Sequence, residues 1–327
     1  MREPHRRMPW DQLPATVRHE IGALLGSPVV SARSQPGGFS PGSADLVMTA
    51  DGRRAFVKTA HAGVNAQACD IHRREAVVTA RLPDGAPVTR LIGVVDLGDW
   101  VALAFEEIEG RQAREPWDRG ELDAALDAYA HLSSAPPASH LDAVLGDLSD
   151  EVAVWASAWD GGGLARSDAT ARLGPGVAHW VSTRADDLAG LAARAPSVVG
   201  GDRLVHWDGR ADNVLIRPDG TAVIIDWPWA LRGAPWVDPL LLLANARLSS
   251  PELADAALAH PTFAEVPPHA LDALLAAVAG GMLANSLQPP VPGIPTLRAF
   301  QFEQAAALLS WLRERRGLGA SWVAPDR

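Results

Sequence analysis

With 327 residues, a net charge of −10, 47% hydrophobic and 21% charged side chains, the chain has the length of about two domains and the composition of a globular protein, not a disordered one. The acidic balance argues against a nucleic-acid partner, because phosphate backbones are held by clustered basic residues. Cys69 is the only cysteine, so no intrachain disulfide or cysteine-based metal site is available.

The N-terminus has basic residues with no apolar run behind them, unlike a secretory signal. The longest charge-free stretch begins at Ala273 and offers roughly a dozen apolar residues where a bilayer span needs ~20. A cytoplasmic protein with no membrane partner is the expectation.

The first hundred residues read as strands separated by turns. "ADLVMTADGRRAFVKTA" holds two β-rich runs around Asp51-Gly52, a strong hairpin signal. "IHRREAVVTARL" has a helical period carried by Ile71, Val78 and Leu82. "LIGVVDLGDWVALAFEEIEG" supplies two more strands around "DLGD" and closes on an acidic segment ending at Gly110. The predicted order is strand, strand, helix, strand, strand.

From about residue 120 the pattern turns helical. "ELDAALDAYAHLSSA", "LDAVLGDLSDEVAVWASAW" and "GVAHWVSTRADDLAGLAARA" carry apolar residues three and four apart, with Gly and Pro clusters between them. A β interruption follows in "RLVHWDGRADNVLIRPDGTAVIIDW", with a turn at "RPDG". Helices return in "WVDPLLLLANARL", "SPELADAALAH" and "PPHALDALLAAVAGGMLANSL"; a proline-rich connector precedes a last helix from about residue 296. The pattern predicts an α+β chain: a β-rich lobe over residues 1–106, a link over 107–111 and a helical lobe over 112–327.

Lys58 is the only lysine; the other 28 basic side chains are arginine. It ends a strand–turn–strand that follows Gly37, Gly38 and Gly42, glycines that let backbone amides approach phosphates closely, with Ser40 and Ser43 as possible hydroxyl donors. Glu75, in the helix that follows, is the natural partner for the ammonium.

The strongest chemical signal is "VHWDGRADNVLI" followed by "VIIDW", which sets Asp208, Asn213 and Asp226 around a short hairpin. Phosphoryl transfer needs positioning and charge neutralisation more than covalent help. An aspartate to accept a hydroxyl proton, with Asn and Asp oxygens as hard ligands for Mg²⁺, supplies those parts. The plainer readings are a polar turn between strands and a His-x-Asp metal site, which lacks a further His or Cys at useful spacing.

With His206, Asp208, Asn213, Ile225-Asp226-Trp227, Gly233 and Asp238 in order, the chain resembles the aminoglycoside phosphotransferase family, a branch of the protein-kinase-like fold, over nearly its whole length. The resemblance implies a two-lobed kinase-like fold: a small N-terminal antiparallel β-sheet lobe with one main helix, and a larger, mostly helical C-terminal lobe. It implies Asp208 as catalytic base, Asn213 and Asp226 as Mg²⁺ ligands, and His206 and Asp238 as braces of the loop. Lys58 paired with Glu75 would reach the α- and β-phosphates, Gly38 and Ser40 would cradle phosphate, and backbone groups of Glu107 and Ile108 would meet the purine edge.

The implied substrates are ATP or GTP with Mg²⁺ and a small-molecule hydroxyl. An aminoglycoside or related amino-sugar antibiotic leads, with resistance as the role. A metabolic kinase of a sugar, choline-like or amino alcohol is the alternative, and a non-catalytic nucleotide-binding protein on a kinase scaffold is a third reading. Trp207, Gly209 and Ala211 depart from the family pattern, which has Gly, an apolar residue and commonly Pro there.

Residues 141–190 hold eight acids against three bases, which reads as a solvated helical face or as a surface that attracts a cationic substrate. The tryptophans Trp155, Trp159, Trp180, Trp227, Trp229 and Trp236 read as core residues before ring-stacking ones.

Overall fold

The computed structural model describes residues 7–35, 42–134, 136–137 and 141–317. Strands β1 (Val29–Ser34), β2 (Ala44–Thr49), β3 (Arg54–His61), β4 (Leu91–Asp96) and β5 (Trp100–Glu106) form one sheet in the order β1-β2-β3-β5-β4. Every pairing is antiparallel. The tight turns fall at Gly52 (φ 85°) and Gly98 (φ 82°), left-handed positions that only glycine adopts without strain.

Both faces of this sheet are covered. Ala55 and Val57 of β3 pack with Val17, Ile21 and Leu25 of helix α1 (Ala15–Leu25). Phe56 and Ala60, on the opposite face, pack with Ala68, Cys69 and Ala76 of helix α2 (Ala66–Thr79). Because strand side chains alternate, Lys58 shares the α2 face, where Glu75 lies.

Helix α1 and strand β1 precede the predicted order of strand, strand, helix, strand, strand and extend it. Val17, Ile21 and Leu25 stand four apart, a helical spacing. The helix ends at Gly26, whose φ of 83° forms a left-handed cap. It sits so close to β4 that a Cβ on Gly93 would lie 2.6 Å from Leu24.

Residues 107–110 carry the chain from β5 to β6 (Arg111–Gln112), which pairs with β8 (Val214–Ile216); β8 in turn pairs with β9 (Ala222–Ile224). Beside them β7 (Arg203–Val205) pairs with β10 (Leu231–Gly233). These short strands hold the "HWDGRADN" loop between β7 and β8, and Asp226 just past β9.

The rest is helical: α3 (Arg119–Leu132), α4 (Leu148–Ala156), α5 (Asp168–Arg172), α6 (Pro175–Thr183), α7 (Ala185–Ala192), α8 (Ala195–Val198), α9 (Val237–Ala246), α10 (Pro251–Ala256), α11 (Pro268–Ser286) and α12 (Leu297–Arg315). The helix expected across residues 176–195 is broken at Arg184, whose φ of −119° and ψ of 23° end α6. Helix α11 is buried along almost its full length and organises this lobe, as an all-round apolar helix must. Two indoles lie against its glycines: a Cβ on Gly280 would meet Trp159 at 2.3 Å, and one on Gly281 would meet Trp155 at 2.4 Å.

The fold is therefore mixed α+β, with a small antiparallel sheet lobe and a helical remainder. Among the described residues no helix is long and apolar enough to cross a membrane.

Candidate active site

The Lys58 ammonium stands between two carboxylates, 2.5 Å from Glu75 Oε2 and 2.7 Å from Asp226 Oδ1. Burial by itself would depress its pKa, yet Asp226 and Glu75 hold it above the ordinary lysine value. Burial acts oppositely on the acids. It raises Glu75 to about 7 against the pull of Lys58. At Asp226 burial is outweighed by Lys58, and the carboxyl stays well below its usual range.

The loop after β7 is fixed from three sides. Asp238, in the first turn of α9, accepts the backbone N–H groups of His206 (2.6 Å) and Trp207 (2.8 Å). His206 is fully buried, and its Nε2 lies 2.6 Å from the carbonyl oxygen of Asp226. That carbonyl can only accept, so Nε2 carries the proton and Nδ1 accepts from the Tyr129 hydroxyl at 3.3 Å. The bond matters because Asp226 has a φ of 70°, a left-handed conformation unusual for a non-glycine residue. A neutral histidine thus pins the strained turn that presents the Asp226 carboxylate. Burial, which lowers the His206 pKa, favours that neutral form.

Asp208 is the hub of the loop. Asn213 Nδ2 donates to its backbone oxygen (3.0 Å) and to its Oδ2 (2.9 Å), and Arg210 Nη1 donates to its Oδ1 (2.8 Å). Burial pushes the Asp208 carboxyl up to about 6, with Arg210 opposing and Asp226 and Asp212 adding to the rise. Arg210 also spans Asp212, at 2.9 Å from Nε.

Asn213 turns its amide nitrogen toward Asp208, and among the described residues nothing donates to its Oδ1. Asp226 keeps its side chain 39% exposed. Among the described residues no three His, Cys, Asp or Glu side chains converge as a self-sufficient metal site. Two hard oxygens that leave the remaining positions to phosphate and water are the set that suits Mg²⁺, which keeps much of its hydration.

The three departures from the family loop have physical reasons. Trp207 has a φ of 62°, which explains why glycine is the unstrained choice there. A Cβ already present on Gly209 would lie 2.8 Å from Asp238 O and 2.9 Å from Leu242 N, so the loop beds directly on α9 and tolerates only glycine. Ala211 donates its N–H to Asn245 Oδ1 at 3.0 Å, a bond that proline cannot make. Apolar bulk has in effect moved from position 209 to 207.

The other side of Asp208 opens into a cleft. Trp155, Trp207, Leu241, Met282 and Phe300 furnish its apolar wall, and Gln304 stands among them. Trp155 meets Trp207 edge-on at 5.7 Å and is held by its own Nε1 bond to Glu151 (2.7 Å).

Lys58, Glu75, His206, Asp208, Asn213 and Asp226 are therefore brought together. Glu107 and Ile108 lie just past β5 outside any strand, with Glu107 paired to Arg54 at 2.7 Å. Gly38 and Ser40 fall outside the described residues. Ser43 is fully buried against Thr59, whose hydroxyl donates to it at 3.1 Å, and so is a packing residue instead of a phosphate donor. Trp159 and Trp227 are core as expected, whereas Trp155 faces the cleft.

Sequence reasoning overlooked Tyr129, Asn245 and Gln304. The last left a signal: Phe300, Gln304 and Leu308 stand four apart, a polar residue inside an apolar helical stripe. Arg7 was also missed. It is half-buried, within electrostatic reach of Asp226, Asp45 and Asp212.

Residues 43–274 match the phosphotransferase enzyme family, and the chain belongs to it. No curated protein sequence matches significantly. Among solved structures the fold is shared with an aminoglycoside phosphotransferase from Alicyclobacillus acidocaldarius (18% identity, 88% of this chain and 92% of that one, TM-score 0.52). It is shared too with the choline kinase LicA of Streptococcus pneumoniae in complex with AMP (16%, 92% and 99%, TM-score 0.57). A macrolide 2'-phosphotransferase type I matches at 18% identity over 92% and 98% of the chains, TM-score 0.53. The chain is accordingly a small-molecule phosphotransferase by family.

Proposed function

We propose that this protein transfers the terminal phosphoryl group of ATP to a hydroxyl of a small molecule. The observation that carries the reading is the convergence of Lys58, Glu75 and Asp226 beside the Asp208–Asn213 pair. Lys58, aimed by Glu75, binds phosphate oxygens of the nucleotide, and the backbone at Glu107 and Ile108 meets its purine edge. The complex of LicA with AMP supports a nucleotide there.

Asp226 and Asn213 would hold Mg²⁺, which when bound neutralises phosphate charge. The acceptor hydroxyl oxygen forms the new bond to the γ-phosphorus, the bond from that phosphorus to the β–γ bridging oxygen breaks, and the hydroxyl proton passes to Asp208. A carboxyl lifted to about 6 is a better proton acceptor than an ordinary aspartate and is still ionised at neutral pH. His206 and Asp238 act by holding the loop, without touching substrate.

The likeness to aminoglycoside phosphotransferases supports an amino-sugar antibiotic as acceptor, and the likeness to a choline kinase supports a metabolic alcohol. None of the eight acids of residues 141–190 lines the cleft among the described residues. Several are engaged elsewhere: Asp147 with Arg232 at 3.2 Å, Asp187 with Arg184 at 3.1 Å, and Glu151 with Trp155. The acidic run therefore lends no support to a polycation.

The test is Asp208→Asn in an ADP-release assay over a panel of antibiotics, sugars and amino alcohols. Turnover of any acceptor the wild type uses falls by roughly 10²–10⁴-fold while the ATP dissociation constant stays unchanged. Near-wild-type turnover would remove Asp208 as the base.

A further inference from the structure

Gln304 is 5% exposed, and its Nε2 has no hydrogen-bond partner among the described residues. A buried amide donor without a partner has lost its hydration with nothing in return, so native structures rarely keep one without a use. Gln304 itself stands in the wall of the cleft that opens on Asp208.

Its surroundings are apolar: the rings of Trp155, Trp207 and Phe300, with Leu241 and Met282, all half-buried. Among the described residues Asp208 is the only carboxylate lining the cleft, and Arg210, 2.8 Å away, answers its charge. The guanidinium carbon of Arg210 also lies 5.3 Å from the centre of the Phe300 ring, so that aromatic face already serves a cation. An incoming ammonium would meet Arg210 with no free carboxylate to receive it.

From this geometry we infer that the acceptor is an uncharged alcohol with an apolar, ring-bearing body and a hydrogen-bond acceptor set apart from the reacting hydroxyl. The apolar body fills the space between the two indoles and Phe300. Gln304 Nε2 donates to the acceptor atom, and the hydroxyl points at Asp208. The inference rests on the phosphotransferase reading and narrows it. It moves the acceptor away from the polycationic amino sugars, whose recognition needs several carboxylates in the wall.

Trp207 carries the same meaning on the protein side. A tryptophan held at a φ of 62° is strained, and such strain persists only where the surroundings hold it in place. Here it supplies an aromatic wall one residue before the base.

The matched probes are 4-(hydroxymethyl)benzophenone and 4-benzylbenzyl alcohol, alike except that the first has a carbonyl where the second has a methylene. Gentamicin and choline are the charged comparisons. Each is titrated calorimetrically into the full-length protein with Mg²⁺ and ADP, and each is assayed for ADP release with Mg²⁺ and ATP. The ketone is expected to bind saturably, about five- to tenfold tighter than the methylene compound, with neither cation binding more tightly than the ketone.

Gln304→Met, which keeps volume and removes the donor, is expected to erase the preference for the ketone while leaving both alcohols bound. Gln304→Glu is expected to weaken both and to improve choline; if it does not fold, the methionine variant decides. Tighter binding of gentamicin or choline than of the ketone, no saturable binding of either neutral alcohol, or a ketone preference that survives Gln304→Met would each overturn the inference. Alcohol binding without any ADP release would count against phosphoryl transfer and leave the chemistry of the cleft standing. ADP release driven by gentamicin would do the reverse.

Discussion

Asp208 divides two regions built on opposite principles. On the side proposed for the nucleotide, charge is concentrated and answered by charge: Lys58 lies within 2.7 Å of both Glu75 and Asp226. On the acceptor side, apolar and aromatic surface surrounds one unpartnered amide. A triphosphate is the same in every reaction of this kind, and few arrangements of charge will hold it. The acceptor differs from enzyme to enzyme, so its pocket is free to be made of whatever the adjoining helices carry. Kinship can therefore speak firmly about one side and only loosely about the other.

The sharpest way to break this division is Lys58→Arg. An ammonium is a compact charge that fits between two carboxylates, whereas the planar guanidinium needs more room. The expected loss is roughly 10²-fold in kcat with Mg²⁺ and ATP, comparable to removing one preorganised donor from an active site, with no change in alcohol binding. Near-normal turnover would mean that the lone lysine is an accident of composition.

A smaller effect should come from the acceptor side. In Gly281→Ala the new Cβ would sit 2.4 Å from Trp155, and the indole, which lines the cleft, must shift. Overpacking of this kind destabilises by about 1–3 kcal/mol. The acceptor KM should rise while the ATP dissociation constant holds, and a change confined to ATP binding would contradict the division.

Trp207→Gly should move stability least. Relief of the left-handed backbone returns roughly 1–2 kcal/mol, and loss of the edge-on contact with Trp155 removes about 0.5–1.5 kcal/mol. Denaturant unfolding is expected to place the variant within about 1 kcal/mol of wild type, with weaker binding of ring-bearing alcohols. A large loss of stability would make the indole a core residue after all.

The legibility of the chain follows the same line. Asp208, Asn213 and Asp226 lie within one strand–loop–hairpin unit, so their convergence is a matter of local chain geometry and could be read from "HWDGRADN" and "VIIDW". Lys58 and Glu75 were readable because strand alternation and a single following helix suffice to bring them face to face. Helix α1 escaped notice although its spacing was present, because its role is to cover the far face of a sheet whose two-sided burial no single strand announces. For the acidic residues of 141–190 the sequence offered two readings, a solvated face and a surface for a cation. Composition counted them together, whereas the fold sends Asp147 and Asp187 to separate arginines and Glu151 to the back of an indole.

By itself, then, the sequence determined the family, the order of elements from β2 to β5 and the charged residues gathered around Lys58 and Asp208, because each depends on residues close in the chain or on simple periodicities. Only the tertiary structure decided the chemistry of the acceptor cleft. Its walls come from α4, the loop after β7, α9, α11 and α12, elements spread over some 150 residues. Which of their side chains face one another is set by helix packing, and no local pattern encodes that.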